Sequence, residues 1–139
     1  MNILVIDGMG GGLGKSVVES LREHLPDVHI TAVGTNSLAT SAMLKAGADV
    51  GATGENAVVY NTKQADVIIG AMGILLANAM YGEISPKMAL AIGESTAQKM
   101  LIPIGKCSLT IVGLTQKPLA AYIDELAQKL ILTKDEKSV

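Results

Sequence analysis

The chain has very few aromatic residues, little charge and only one arginine. Aromatic side chains make up 2% of the 139 residues, as three tyrosines without Phe or Trp, so the core must be aliphatic. Charged residues make up 17%, and the net charge of −2 lacks the basic footprint of a nucleic-acid-binding protein. Arg22 is the only arginine, which argues against phosphate recognition by guanidinium groups. We therefore expect no nucleic-acid partner.

The chain also has only one cysteine, and the sequence shows neither the pattern of a signal peptide nor a long apolar run. The single cysteine, Cys107, excludes an internal disulfide framework. A strand-like run begins immediately after Asn2, where a signal peptide would have a basic region, and no run reaches about 18 apolar residues. These features predict a cytoplasmic protein with no membrane partner. Because 49% of the residues are apolar and few are charged, we expect a homo-oligomer whose subunits cover apolar surface.

Strand and helix patterns alternate along the chain. Apolar runs predict strands over 2–6, 28–34, 48–51, 66–70, 99–104 and 109–114. Amphipathic or capped stretches predict helices over 13–25, 37–46, 54–64 and 74–81, from 85, and from about 118. This order predicts an α/β fold, namely a three-layer, Rossmann-like, doubly wound and mostly parallel sheet of five to six strands. We expect one domain over 1–132 and a charged tail over 133–139.

The junction between the first strand and the first helix is the most informative stretch. Five of the seven residues from Gly8 to Gly14 are glycines. Glycines let a backbone approach a ligand closely, and a helix N-terminus offers free N–H groups to a phosphate. The predicted ligand contacts are the side chains or backbone of Asp7, Gly8, Gly10, Gly11, Gly12, Leu13, Gly14 and Lys15. We expect Asp7 to orient a ribose or a water and Lys15 to assist with phosphate.

Two known motifs compete for this turn. The spacing Gly8-x-x-x-Gly12-Leu13-Gly14 resembles the cofactor motif of short-chain dehydrogenases, although Asp7 stands where that family usually has Thr. The ending Gly14-Lys15-Ser16 resembles a P-loop, but the first glycine of that pattern would fall at Met9. We favour the dinucleotide interpretation, and a P-loop-like ATP-binding protein is the alternative. A third interpretation is that the glycines only permit close packing of the helix on the sheet.

The resemblance to short-chain dehydrogenases does not extend to their chemistry. That family uses a Tyr-x-x-x-Lys pair, whereas the residues four positions after the three tyrosines here are Gln64, Ser85 and Leu126. The sequence therefore predicts a nucleotide- or dinucleotide-binding protein, of sensor or regulatory type, with no complete catalytic set. A small oxidoreductase whose active site is completed by a second subunit is the alternative.

The second strand ends in Gly34, Thr35 and Asn36, which we expect to contact the cofactor. An NAD site usually has a carboxylate here and an NADP site an arginine, and neither residue is present. The Thr35 and Asn36 side chains can hydrogen-bond either a ribose or a 2′-phosphate. The expected cofactor is therefore NADP or NAD, with NADP slightly favoured. Alternatively, Asn36 simply caps the next helix.

Three further turns are expected at the same edge of the sheet. Thr53, after the third strand, is a candidate for contact with an adenine or a second substrate, or else a helix cap. Gly70, Met72 and Gly73, after the fourth strand, are candidates for contact with the nicotinamide-side ribose. Lys106 and Cys107 follow the fifth strand, where Lys106 could lower the pKa of the thiol, although a lone cysteine is more often a packed hydrophobe.

Other polar residues give weaker signals. Asn78 lies in an apolar run, so we expect a buried amide that either crosses a subunit interface or faces the crevice. Neither His24 nor His29 is placed as a catalytic base, and no cluster has the spacing of a metal site. The alternative role for Lys15 is an ion pair with Glu19 one helical turn away.

Six stretches, which together span nearly the whole chain, carry a second resemblance: 6–15, 38–46, 51–57, 73–78, 82–86 and 103–107. Through them the chain resembles a family of short bacterial proteins classed as a domain of unknown function. The resemblance implies a Rossmann-like fold without an assigned activity.

Overall fold

The computed structural model describes residues 1–105 and 108–137. Five strands and five α-helices alternate along these residues, and a short 3-10 helix, Met72–Leu75, follows the fourth strand. The strands are β1 Asn2–Asp7, β2 His29–Gly34, β3 Val50–Thr53, β4 Val67–Ala71 and β5 Gln98–Ile102. The helices are α1 Gly12–His24, α2 Ser37–Ala46, α3 Glu55–Asn61, α4 Pro86–Glu94 and α5 Leu119–Lys137.

The five strands form one parallel sheet in the order β3-β2-β1-β4-β5. The chain moves outward from β1 to β3 and then crosses back to β4, so its winding reverses between β1 and β4. In open parallel sheets, ligands bind beyond the carboxyl ends of the strands at such a reversal. The register pairs Asp7 with Gly34 and Gly34 with Thr53, which brings the ends of three strands level at that edge.

Two aliphatic cores cover the two faces of the sheet. Alternate residues of β1 divide between them: Ile3 and Val5 face one core, and Leu4 and Ile6 face the other. The first core contains residues of α1, α2 and α5, and the second contains residues of α3 and α4. This is the three-layer, Rossmann-like α/β architecture expected from the sequence.

Local signals set most of the helix ends. The Asn36 side chain accepts a hydrogen bond from Ala39 N at 2.9 Å at the start of α2, and Gly47 follows its end with φ of 121°. Ser85 caps α4 and Pro86 occupies its first turn. α3 begins differently from the prediction, because Gly54 precedes it and makes no side-chain cap bond. The Thr53 hydroxyl instead pairs with the Thr40 hydroxyl at 2.7 Å.

Two predicted elements are wrong. Residues 109–114 form no strand, because this segment turns and pairs with none of the described strands; Gly113 has φ of 88°, and Leu114 N bonds Ile111 O. Residues 74–81 form no α-helix, since the chain leaves the 3-10 helix in turns that bury Ile74 and Ile84.

Two smaller expectations also change. Asn78 is exposed, not buried, and its backbone has φ of 67°. α5 continues to Lys137, so the described part of the expected tail, 133–137, is helical. Lys106 and Cys107 lie outside the described residues. Among the described residues, no helix combines the length and apolar character needed to cross a membrane.

Candidate functional site

The Asp7 carboxylate binds both ends of the turn between β1 and α1. Asp7 is 6% exposed, and its two oxygens accept hydrogen bonds from Gly8 N at 2.8 Å and Gly14 N at 2.6 Å. Burial raises the pKa of this carboxyl, and the two N–H donors oppose that rise. Both carboxylate oxygens are therefore engaged by the turn itself, which makes Asp7 the residue that fixes the path of the glycines.

Gly11 lets the chain enter the helix. It has φ of 79°, its N–H bonds Gly8 O at 3.0 Å, and a Cβ there would lie 2.8 Å from the Ala39 backbone. Gly14 packs as tightly one turn later, because its Cβ would lie 2.6 Å from the Met43 sulfur. Gly8 is packed as well, because its Cβ would lie 2.7 Å from the Thr35 hydroxyl oxygen and 2.8 Å from the Met80 sulfur. Close packing therefore explains three of the five glycines.

Gly10 and Gly12 are different, since both are exposed and a Cβ at either would meet nothing within 4 Å. Among the described residues, no group accepts from the N–H of Gly10, Gly12 or Leu13. These three donors lie at the positive end of α1, a 13-residue helix, at the carboxyl edge of the sheet. The turn thus presents free donors and open space together.

The end of β2 carries a carboxylate that sequence reasoning missed. Glu83 Oε1 accepts hydrogen bonds from the Thr35 hydroxyl, from Asn36 Nδ2 at 2.9 Å and from Met9 N at 3.1 Å. The hydrogen bond from Thr35 lowers the pKa of Glu83 most strongly, and partial burial opposes it. The expected ligand residues Thr35 and Asn36 therefore hold Glu83, and Asn36 also caps α2.

Glu83 reaches this position from 47 to 48 residues further along the chain, so no local pattern could place it. The one signal available was its presence in stretch 82–86, among those that resemble the family. It is carried by a turn in which several residues have positive φ: Asn78 at 67°, Met80 at 58°, Tyr81 at 55° and Gly82 at 88°. Such values are costly outside glycine, and the surrounding contacts must stabilise them.

The remaining predicted residues surround this centre less closely. Gly34 is packed against Thr40, whose hydroxyl accepts from Gly34 N at 3.2 Å. Thr53 is bonded to Thr40 and follows β3. Gly70 lies near the end of β4, where a Cβ would be 2.8 Å from Ile74 Cδ1. Met72 and Gly73 are the first two residues of the 3-10 helix. All five residues lie at the carboxyl edge of the sheet, because they are at or just after the ends of β2, β3 and β4.

Lys15 Nζ lies 4.0 Å from Glu19 Oε1, and both side chains are about half exposed. The structure therefore shows the alternative role of Lys15, a weak ion pair at the surface.

Two other titratable residues, Asp66 and His29, lie away from the turn. Asp66 is at the amino edge of the sheet, where its carboxylate accepts a hydrogen bond from Asn2 N at 2.7 Å. At that edge it could not serve a magnesium ion held by a P-loop. His29 likewise lies near Asp49, at 3.6 Å. Within 1–105 and 108–137, no three His, Cys, Asp or Glu residues are grouped to hold a metal.

Two grooves in the surface lie away from the glycine turn. One, of about 750 Å³, runs between β5, α5 and the segment around Gly113. The other, of about 320 Å³, lies at the amino edge beside His29 and Asn61. Neither groove is lined by a residue of the glycine turn.

Comparison with known proteins gives a family but no activity. A search of curated proteins gave no match. Among solved structures, the dodecameric FMN-dependent Ubix-like decarboxylase from Escherichia coli O157:H7 is similar at 17% sequence identity, over 91% of this chain and 75% of that chain, with a TM-score of 0.47. The model of the family described as Domain of unknown function (DUF3842) matches residues 2–134. Because that match spans nearly the whole chain, the protein belongs to the DUF3842 family.

Proposed function

We propose that this protein binds a nucleotide-type ligand whose phosphate lies on the turn between β1 and α1. The observation that carries the proposal is the set of three free N–H groups, of Gly10, Gly12 and Leu13, together with the open space at the Cβ positions of Gly10 and Gly12. An anion there would gain hydrogen bonds and the favourable end of the α1 dipole. A packing role alone would need neither the exposure nor the free donors.

The ligand class follows from the position of the turn in the fold. The turn lies beside the reversal of strand order between β1 and β4, where dinucleotides and mononucleotides bind in sheets of this order. NAD and NADP are therefore the first ligands to test. The described side chains at this edge supply carboxylates, hydroxyls and an amide, and we assign no reaction to them.

The proposal is tested by thermal shift and by calorimetry with NAD, NADP, FAD, FMN, coenzyme A, and ATP with magnesium. At about 100 times Kd one ligand adds about 2.7 kcal/mol, which is roughly 5–10 °C for a domain of this size. Gly12→Val should abolish the shift without unfolding the chain, because its Cβ meets nothing within 4 Å. Gly93→Val is the matched control, since Gly93 is exposed in α4 and also has open space.

Two outcomes would contradict the proposal. Well-folded protein that shows no shift with any of these ligands would favour the packing interpretation of the glycines. Binding that Gly12→Val leaves unchanged would move the site away from this turn. A shift with magnesium ATP alone would favour the P-loop-like alternative.

The homo-oligomer expected from the composition stays a prediction. It is supported by exposed apolar side chains near the outer edge of the sheet, of which Val112 is 96% exposed and Leu132 63% exposed. A second subunit that added residues to the site would also allow the oxidoreductase alternative.

A further inference from the structure

The Glu83 carboxylate has one oxygen fixed and one oxygen free. All three of its hydrogen bonds converge on Oε1, from Thr35, Asn36 and Met9. Oε2 has no partner among the described residues. The side chain is only partly buried, so its free oxygen is available to a ligand at the end of β2. Three donors, two from the end of β2 and one from the glycine turn, hold Oε1 and thereby orient the whole carboxylate.

The charge around Glu83 favours a ligand group that donates a proton and carries no negative charge. No lysine or arginine of the described residues pairs with Glu83, and the Asp7 carboxylate is close enough that Glu83 adds to the rise in the pKa of Asp7 caused by burial. The Thr35 hydroxyl holds the pKa of Glu83 below its usual range, so this carboxylate stays ionised at neutral pH. A hydroxyl can donate to Oε2, whereas a phosphate there would be repelled.

The two parts of the site, the free donors of the turn and the Glu83 carboxylate, are adjacent. Glu83 bonds directly to Met9 N, and Met9 is the neighbour of Gly10, the first free donor of the turn. A ligand with its phosphate on the turn would therefore bring its sugar against Glu83. From this arrangement we infer that Glu83 accepts from the 2′,3′-hydroxyls of a ribonucleotide and selects against a sugar that carries a 2′-phosphate.

This inference rests on the proposed function and reverses the sequence-based preference for NADP. The end of β2 itself offers no carboxylate, but the loop before α4 supplies one to the same place. Thr35 and Asn36, which could have received a 2′-phosphate, already donate to Glu83. NAD should therefore bind more tightly than NADP.

The test measures binding of four probes to the wild-type chain: NAD, NADP, ADP and 2′-deoxy-ADP. We expect NADP to bind at least about 10-fold more weakly than NAD, and 2′-deoxy-ADP about 10-fold more weakly than ADP, since each change removes or opposes a hydrogen bond to a charged group. Glu83→Gln keeps an oxygen for the three donors and removes the charge, so it should tighten NADP and weaken NAD until the preference is lost. Glu94→Gln, at the exposed C-terminal end of α4, is the control and should change neither.

The outcomes separate this inference from the proposed function. If NAD and NADP bind equally to the wild type, or if 2′-deoxy-ADP equals ADP, the role of Glu83 is wrong while binding on the turn stands. If FMN binds and none of the four probes does, the role of Glu83 is also wrong. If none of these ligands binds, the proposed function fails as well. The wild-type comparison needs no variant, so it stands even if Glu83→Gln does not fold.

Discussion

Replacing Gly14 with alanine tests how closely α1 packs on β1 beneath the candidate site. The new Cβ would lie 2.6 Å from the Met43 sulfur, 2.8 Å from Asp7 Cβ and 2.9 Å from Asp7 Oδ2. Met43 is fully buried, and Asp7 is tied to two N–H groups of the turn. Neither can retreat freely, so either α1 moves away from the sheet or the Asp7 carboxylate leaves Gly14 N.

The expected loss of stability follows from three contributions. Overpacking of a filled core costs about 1–3 kcal/mol. Weakening the bond from Gly14 N to the charged carboxylate costs up to about 1.5–3 kcal/mol. Alanine in a helix recovers about 1 kcal/mol relative to glycine. We therefore expect Gly14→Ala to lower the free energy of unfolding by about 2–4 kcal/mol.

The assay is urea unfolding, with Gly12→Ala as the matched control two residues earlier. Gly12 has open space, so that variant should lie within about 1 kcal/mol of the wild type. At about 4 °C per kcal/mol, Gly14→Ala should lower Tm by roughly 8–16 °C. Equal stabilities for the two variants, at unchanged m-values, would refute the close packing of α1 on Asp7.

Two further predictions concern the groups that hold the turns. Burial raises the pKa of Asp7 above 3.8, its value in the unfolded chain, so the folded state binds this proton at a higher pH than the unfolded state does. The contribution of Asp7 to the free energy of unfolding therefore increases as the pH falls from the raised pKa toward 3.8. Asp7→Asn should remove that contribution, measured as the difference between wild-type and variant unfolding free energies from neutral pH to pH 4; a constant difference would contradict it. Thr40→Val should cost about 1–3 kcal/mol by leaving Gly34 N without its acceptor, whereas Thr40→Ser should stay close to the wild type in the same denaturation assay.

Much of the candidate site was predictable because its signals are local. A glycine-rich stretch between a strand and a helix can be recognised within about ten residues, and parallel strands bring the turns that follow them to one edge. The same holds for the Asn36 and Ser85 caps, whose side chains bond within three residues. The sequence alone therefore determined the α/β architecture, the glycine turn and the edge of the sheet at which it lies.

Tertiary structure decided what depends on distant partners. Residues 109–114 have the composition of a strand, but a strand exists only where another strand accepts its hydrogen bonds, and none of the described strands pairs with this segment. Residues 74–81 are apolar and uncharged enough for a helix, yet the chain turns there, and Ile74 and Ile84 are both buried. The Glu83 carboxylate at the end of β2 was invisible for the same reason: it is adjacent to Thr35 in space and 48 residues away in the chain.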